Sequence, residues 1–135
     1  KNVSEIWGIA RMEMAPVILH SASFSSSISR LILIEPLSSY KSLVVNRFYK
    51  ASFISSAVPA TLAVYDLPDL AGTLAPRKLT IVNPVNSLGK TDNSAGIKDD
   101  MEIIRTLYSK SGADDNLKII YTVNGDKADI NELIK

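Results

Sequence analysis

Hydrolytic chemistry needs a nucleophile with a base and an acid, or a metal ion with its ligands. This chain offers few residues for either. It has no cysteine and a single histidine, His20. Without cysteine there is no disulfide framework and no cysteine–zinc site. His20 has no second histidine and no Asp or Glu at metal-ligand spacing. It lies between Leu19 and Ser21 in a segment of helical pattern, so it reads as a structural residue of a helix face. Ser38-Ser39-Tyr40-Lys41 contains the residue types of a serine–lysine pair. Asp92, Asn93, Asp99 and Asp100 suggest a calcium loop, but the glycine and terminal glutamate of that pattern are missing. They read as a solvated loop and a helix start. Gly89-Lys90-Thr91 looks like the end of a phosphate loop, yet the position five before Gly89 is Pro84, so the required glycine is absent. Trp7, Tyr40, Tyr49 and Tyr65 could stack on sugar rings. Aromatics at strand starts and on helix faces more often fill cores.

Composition narrows the class. The chain has 135 residues, 46% of them hydrophobic, and 15 Lys+Arg against 14 Asp+Glu. That describes one globular domain with no basic footprint for nucleic acid and no polybasic membrane surface. No apolar run approaches the roughly 20 residues of a transmembrane helix. The start, Lys1-Asn2-Val3-Ser4, carries neither an initiator Met nor a signal-peptide core and reads as an internal start. The expectation is a single domain over residues 1–135, the C-terminal fragment of a larger protein. The compartment stays open, with secretion or the periplasm as the expectation for the whole protein.

Strand and helix patterns alternate. Residues 3–9 read as a strand stopped by Gly8, and residues 12–25 as a helix with Pro16 in its first turn. Residues 30–34, Arg-Leu-Ile-Leu-Ile, form a continuous apolar run, as in a parallel strand covered on both faces. Residues 39–49 read as a helix, weakened by Val44 and Val45. Residues 51–64 read as two short helical pieces with a break between them. Asp66 is the expected N-cap of a helix that has Pro68 in its first turn and ends near Pro76. Residues 78–82 read as a strand, 85–97 as a loop and 99–111 as a helix with Met101, Ile104, Leu107 and Tyr108 on one stripe. Residues 117–123 read as a last strand and 128–134 as a closing helix. The serines between Ser21 and Ser29 read as a helix end and loop. This order predicts an α/β fold: a parallel sheet of about four strands with helices on both faces. So small a sheet leaves an edge open.

Several segments together resemble a known family. These are the strand–glycine–helix start, Arg30-Leu31-Ile32-Leu33-Ile34-Glu35-Pro36, Tyr65-Asp66-Leu67-Pro68-Asp69-Leu70-Ala71 and Leu74-Ala75-Pro76-Arg77-Lys78-Leu79. They resemble the C-terminal half of α/β-hydrolases, in the acetyl-xylan-esterase-like and prolyl-oligopeptidase-related branch, a bacterial-type family. The resemblance covers roughly Val3 to Val123 and implies half of a hydrolase core. It also implies that Ser38 to Lys41 is a strand-to-helix loop without catalytic role.

The resemblance implies where a catalytic triad would sit. Ile6-Trp7-Gly8-Ile9-Ala10-Arg11-Met12 corresponds to the nucleophile elbow, normally G-x-S-x-G. Gly8 matches the first glycine, Ala10 stands at the serine and Met12 at the second glycine. Pro84-Val85-Asn86-Ser87-Leu88-Gly89 matches the branch's Pro-Val-Asp-x-x-Gly, with Asn86 at the acid. The histidine would fall near Val123-Asn124-Gly125-Asp126, where there is none. Some relatives in the branch also lack the elbow serine. The implied function is a non-catalytic, degenerate hydrolase-like domain, a structural or binding module linked to polysaccharide breakdown. The alternative is the supporting half of a carbohydrate acetyl esterase or serine peptidase whose active residues lie outside this chain. No cofactor and no metal is expected. The expected partners are the N-terminal part of the same protein or a second copy along the open sheet edge, with a glycan as candidate ligand.

If this mapping holds, Ala10→Ser alone yields no hydrolysis of p-nitrophenyl acetate above the uncatalysed rate, because base and acid are also missing. Measurable turnover by that single variant would break the mapping.

Overall fold

A computed structural model describes residues 5–92, 94–122 and 133–134. Four parallel strands, β1 (Trp7–Arg11), β2 (Arg30–Ile34), β3 (Lys78–Val82) and β4 (Leu117–Ile120), lie side by side in chain order. Helix α1 (Met14–Phe24) links β1 to β2, and α4 (Ala95–Lys110) links β3 to β4. Between β2 and β3 run α2 (Lys41–Val45), two 3₁₀ turns (Ala51–Ser56 and Thr61–Ala63) and α3 (Leu67–Gly72). This is the α/β class expected, a small parallel sheet flanked by helices.

The core follows from the apolar runs. β2 and β3 are the inner strands, and Leu31, Ile32, Leu33, Ile34, Leu79, Thr80, Ile81 and Val82 are all buried. Strand side chains alternate between faces. Leu31, Leu33, Leu79 and Ile81 therefore share one face, where they join a cluster with Ala15 and Leu19 of α1, Leu70 and Ala71 of α3, and Met101 and Ile104 of α4. The centre of the sheet is buried on its other face too, through Ile32, Thr80 and Val82. The buried residues of α4, Ile97, Met101, Ile104 and Tyr108, recur at spacings of three and four. Gly72 lets α3 approach α4: a Cβ there would lie 2.1 Å from Leu107 Cδ1 and 2.8 Å from Leu107 Cβ.

Some boundaries move from their expected places, each for a physical reason. Gly8 does not end β1. It lies inside the strand because a Cβ there would lie 2.8 Å from both Ile18 and Leu31 side chains, so glycine serves close packing. The helix expected over residues 39–49 is only α2. Val44 and Val45 propagate a helix poorly, and Asn46 Nδ2 ends it by donating to the Ser42 carbonyl at 2.8 Å. Helix α4 starts at Ala95, four residues earlier than Asp99, because Asp92 Oδ1 accepts from the Ser94 N–H at 3.0 Å and so sets up the entry. β4 stops at Ile120, and Thr122 leaves the ladder to exchange hydrogen bonds with the Asn83 side chain. Apart from residues 133–134, the helix expected over 128–134 lies outside the described residues.

Asp66 organises the β2–β3 connection. It caps α3 in a reciprocal capping box with Asp69. The same carboxylate reaches back across the fold: Oδ1 accepts from the Tyr40 N–H at 2.6 Å and Oδ2 from the Lys41 N–H at 3.0 Å. One side chain thus satisfies N-terminal amides of two helices. Arg77, in the Ala-Pro-Arg segment, donates to the Ser25 and Ile28 carbonyls at 3.0 Å each, pinning the loop that leads into β2.

Asp66→Ala is expected to cost about 3 kcal/mol: about 1 for the lost cap and about 1 for each α2 amide left unpaired. Urea unfolding measures it, and a loss under 1 kcal/mol would show that water replaces the clamp.

Candidate functional site

In open parallel sheets ligands bind beyond the carboxyl ends of the strands. Here that end is built on a repeated device. The residue directly after each of the first three strands is left-handed: Met12 at φ 50°, Glu35 at φ 51° and Asn83 at φ 48°. None is glycine, so each conformation is disfavoured and must be held from outside. Each N–H donates to the last residue of the next strand: Met12 to Ile34 O, Glu35 to Val82 O and Asn83 to Ile120 O, at 2.7–2.9 Å. The ladder therefore extends one step past each strand and then turns sharply. Arg11 and Glu35 close this end with an ion pair at 2.6 Å.

The turn after β1 is the strand-to-helix elbow. Its left-handed residue is Met12. Ala10 lies two residues earlier, inside β1, paired with Leu33. The Met12 sulfur lies 3.8 Å from Lys50 Nζ, and its methyl would lie 4.0 Å from a Cβ at Gly89. Lys50 N–H in turn donates to Ser87 O at 2.7 Å. The structure thus brings the elbow and the loop after β3 together.

Asn86 organises that loop. Its Oδ1 accepts from the Leu88 and Lys90 amides at 2.9 and 3.2 Å, and its Nδ2 donates to Asp92 Oδ2 at 2.6 Å. Hydrogen bonds from Ser94 hold the Asp92 carboxyl below its ordinary value, and Asn86 and Lys90 add to the effect. Beside this loop lies a cleft of about 400 Å³ lined by Ser38, Ser39, Lys41, Asn86, Asp92 and Asp100, with Val45 and Ile97 as apolar wall. Ser38 and Ser39 are buried. Burial raises the Asp100 carboxyl, while hydrogen bonds from the Ser39 and Ser38 hydroxyls lower it; Asp66 adds to the rise and Lys41 opposes it. The cleft therefore presents hydroxyl, amide and carboxylate groups around one space.

His20, Tyr40, Tyr65, Trp7 and Ser39 are engaged by neighbouring groups. His20 Nδ1 is 2.7 Å from the Pro16 carbonyl, which can only accept, so Nδ1 carries the proton. Nε2 lies 3.0 Å from the Tyr65 hydroxyl, within hydrogen-bond distance. Tyr40 lies beside the same imidazole, and burial pushes its hydroxyl up to about 12, leaving it a neutral donor to Ser56 O. Tyr40 and Tyr65 are thereby engaged, Trp7 is stacked under Arg30 at 4.2 Å and Tyr49 is exposed. Ser39 Oγ accepts from the Ser42 N–H at the start of α2. Among the described residues no group of three His, Asp or Glu could hold a metal ion, and no helix is long and apolar enough to cross a membrane. Residues 123–126, where the resemblance implies a histidine position, lie outside the described residues. Sequence reasoning missed the grouping of Ser38, Ser39 and Asp100. Its partners are some 60 residues apart, and only the placement of two serines just past an apolar strand hinted at it.

Comparison with protein-family models, curated proteins and solved structures finds no match to this chain.

The raised Asp100 carboxyl gives a pH dependence of definite sign. From the ordinary value of 3.8 upward, the folded state keeps the proton that the unfolded state releases, so folding stability falls as pH rises through that window. Asp100→Asn, which keeps an acceptor for the serine hydroxyls, is expected to remove this slope. Its urea midpoint should gain on the wild type as pH rises from 3.8; a constant difference would remove Asp100 as the source.

Proposed function

We propose that this chain is the C-terminal half of an α/β-hydrolase-like core that has lost hydrolase chemistry and serves as a binding or structural module, with a polysaccharide-derived glycan as its ligand. The observation that carries this reading is Met12 at the left-handed strand-to-helix turn. An elbow of this kind aims its central side chain at the substrate. A thioether there cannot attack a carbonyl. The sequence resemblance puts the serine position at Ala10, whereas the turn geometry favours residue 12. Either way the side chain is no nucleophile.

Two further features support the reading. Asn86 stands at the implied acid position with both ends of its amide engaged in its own loop. An amide also lacks the charge that steadies an imidazolium. The cleft beside it offers the hydroxyl, amide and carboxylate groups that pair with a polyhydroxylated ligand. The residues carrying the resemblance, Asp66 to Asp69 and Ala75 to Arg77, act in capping and pinning, roles that survive when catalysis is lost.

The test is acetyl-ester hydrolysis with fluorophosphonate labelling on the natural polypeptide that carries this sequence, beside a screen of xylan- and cellulose-derived oligosaccharides. No turnover, no label and oligosaccharide binding that Asp100→Ala abolishes are the expected results. A labelled serine with turnover would overturn the non-catalytic reading and make this chain the supporting half of an esterase or peptidase.

A further inference from the structure

The cleft beside the Asn86 loop is unevenly charged. Three carboxylates, Asp92, Asp99 and Asp100, line its space of about 400 Å³, and Lys41 is the one cation among the lining residues. A carboxylate paired with a cation projects little field. Among the described residues the two ion pairs join Arg11 to Glu35 and Arg105 to Glu102, so neither involves these three. Asp92 instead accepts from neutral donors, the Asn86 amide at 2.6 Å and the Ser94 N–H at 3.0 Å. Such bonds orient a carboxylate and leave its charge in place. Lys41 acts on Asp100 and Lys90 on Asp92, each without closing an ion pair. Asp66 adds a further negative charge, close enough to raise the Asp100 carboxyl. The amino end of α4, where Ser94, Gly96 and Ile97 meet the cleft, adds roughly half a positive charge. Four carboxylates against two ammonium groups and a helix end leave the cleft negative.

We infer that this cleft takes an amino sugar with a free, protonated amine, in preference to a neutral or uronic-acid sugar. The inference rests on the proposed reading of the cleft as a glycan site and names the class of glycan. An ammonium among Asp92, Asp99 and Asp100 gains charge-assisted hydrogen bonds, about twice as strong as neutral ones. Asp92 is already oriented by Asn86 and Ser94, and Asp100 by the Ser38 and Ser39 hydroxyls, so binding costs these side chains little freedom. Burial raises the Asp100 carboxyl, and a cation beside it favours the charged form again. A uronate in the same place meets like charge and is repelled. The hydroxyl and amide groups of the cleft remain for the ring hydroxyls, and Val45 and Ile97 for the apolar face of the ring.

The test is calorimetric titration of the natural polypeptide that carries this sequence with a glucosamine tetramer, its N-acetylated form, cellotetraose and a galacturonate tetramer. At about pH 6 carboxylates and amines are both charged. The glucosamine tetramer is expected to bind about tenfold tighter than cellotetraose or the N-acetylated form, with the galacturonate weakest. Raising the salt from about 0.05 to about 0.5 M is expected to shrink that preference. Asp99 and Lys41 are both exposed. Asp99→Asn is expected to lower the glucosamine-to-cellotetraose affinity ratio about threefold and Lys41→Gln to raise it by a like factor, the size of one screened charge a few ångström away. Opposite signs from two exposed positions do not arise from a general loss of folding. Affinity for cellotetraose or the galacturonate equal to or above that for the glucosamine tetramer, or a ratio unmoved by Asp99→Asn or by Lys41→Gln, would overturn the amine preference and leave the glycan reading standing. Binding of none of these oligosaccharides would overturn both.

Discussion

Asp66 is the constraint on which the arrangement of the helices depends. A helix N-terminus leaves its first amides without partners inside the helix. In this fold two short helices, α2 and α3, both begin near the carboxyl end of the sheet, and neither is long enough to be stable alone. A single carboxylate receives amides from both, 26 residues apart in sequence at Tyr40. It fixes where the chain leaving β2 turns and where the chain entering β3 starts down. The loop carrying Ser38 and Ser39 is held in place by the same bond, so the cleft inherits its shape from a capping interaction.

The carboxyl end of the sheet repeats one solution three times. Met12, Glu35 and Asn83 each extend the ladder by one donor and then turn through a conformation that glycine would adopt more readily. The disfavoured backbone is compensated by the neighbouring strand, and at Asn83 also by a side chain that bonds Thr122 through both ends of its amide. That end of the molecule is where local conformational cost is concentrated, and it is also where the cleft lies. Strain and polar convergence in one region fit a site for binding.

The strands β2 and β3 were legible to the residue because continuous apolar runs in a buried parallel strand leave little freedom. The cap at Asp66 was equally legible, because capping is local: the acceptor and its first donors lie within three residues; the end of that helix was not, since it stops at Gly72, short of the expected Pro76. Boundaries were misjudged where a residue serves a distant neighbour. Gly8 looked like a stop and proved to be a contact with Ile18 and Leu31. Asp99 and Asp100 looked like a helix start, yet Asp100 sits a turn into α4, meeting serines from another loop.

The sequence by itself determined the α/β class, the order of its elements, and a supply of one histidine and no cysteine, since these follow from residue types and short spacings. Only the tertiary structure decided which residue occupies the left-handed turn after β1, which backbone groups of β1 face β2, and that Ser38, Ser39, Asn86 and Asp100 surround one cleft. Those facts depend on register between strands far apart in the chain. A shift of one residue in register reverses which groups face inward, and no local pattern reports it.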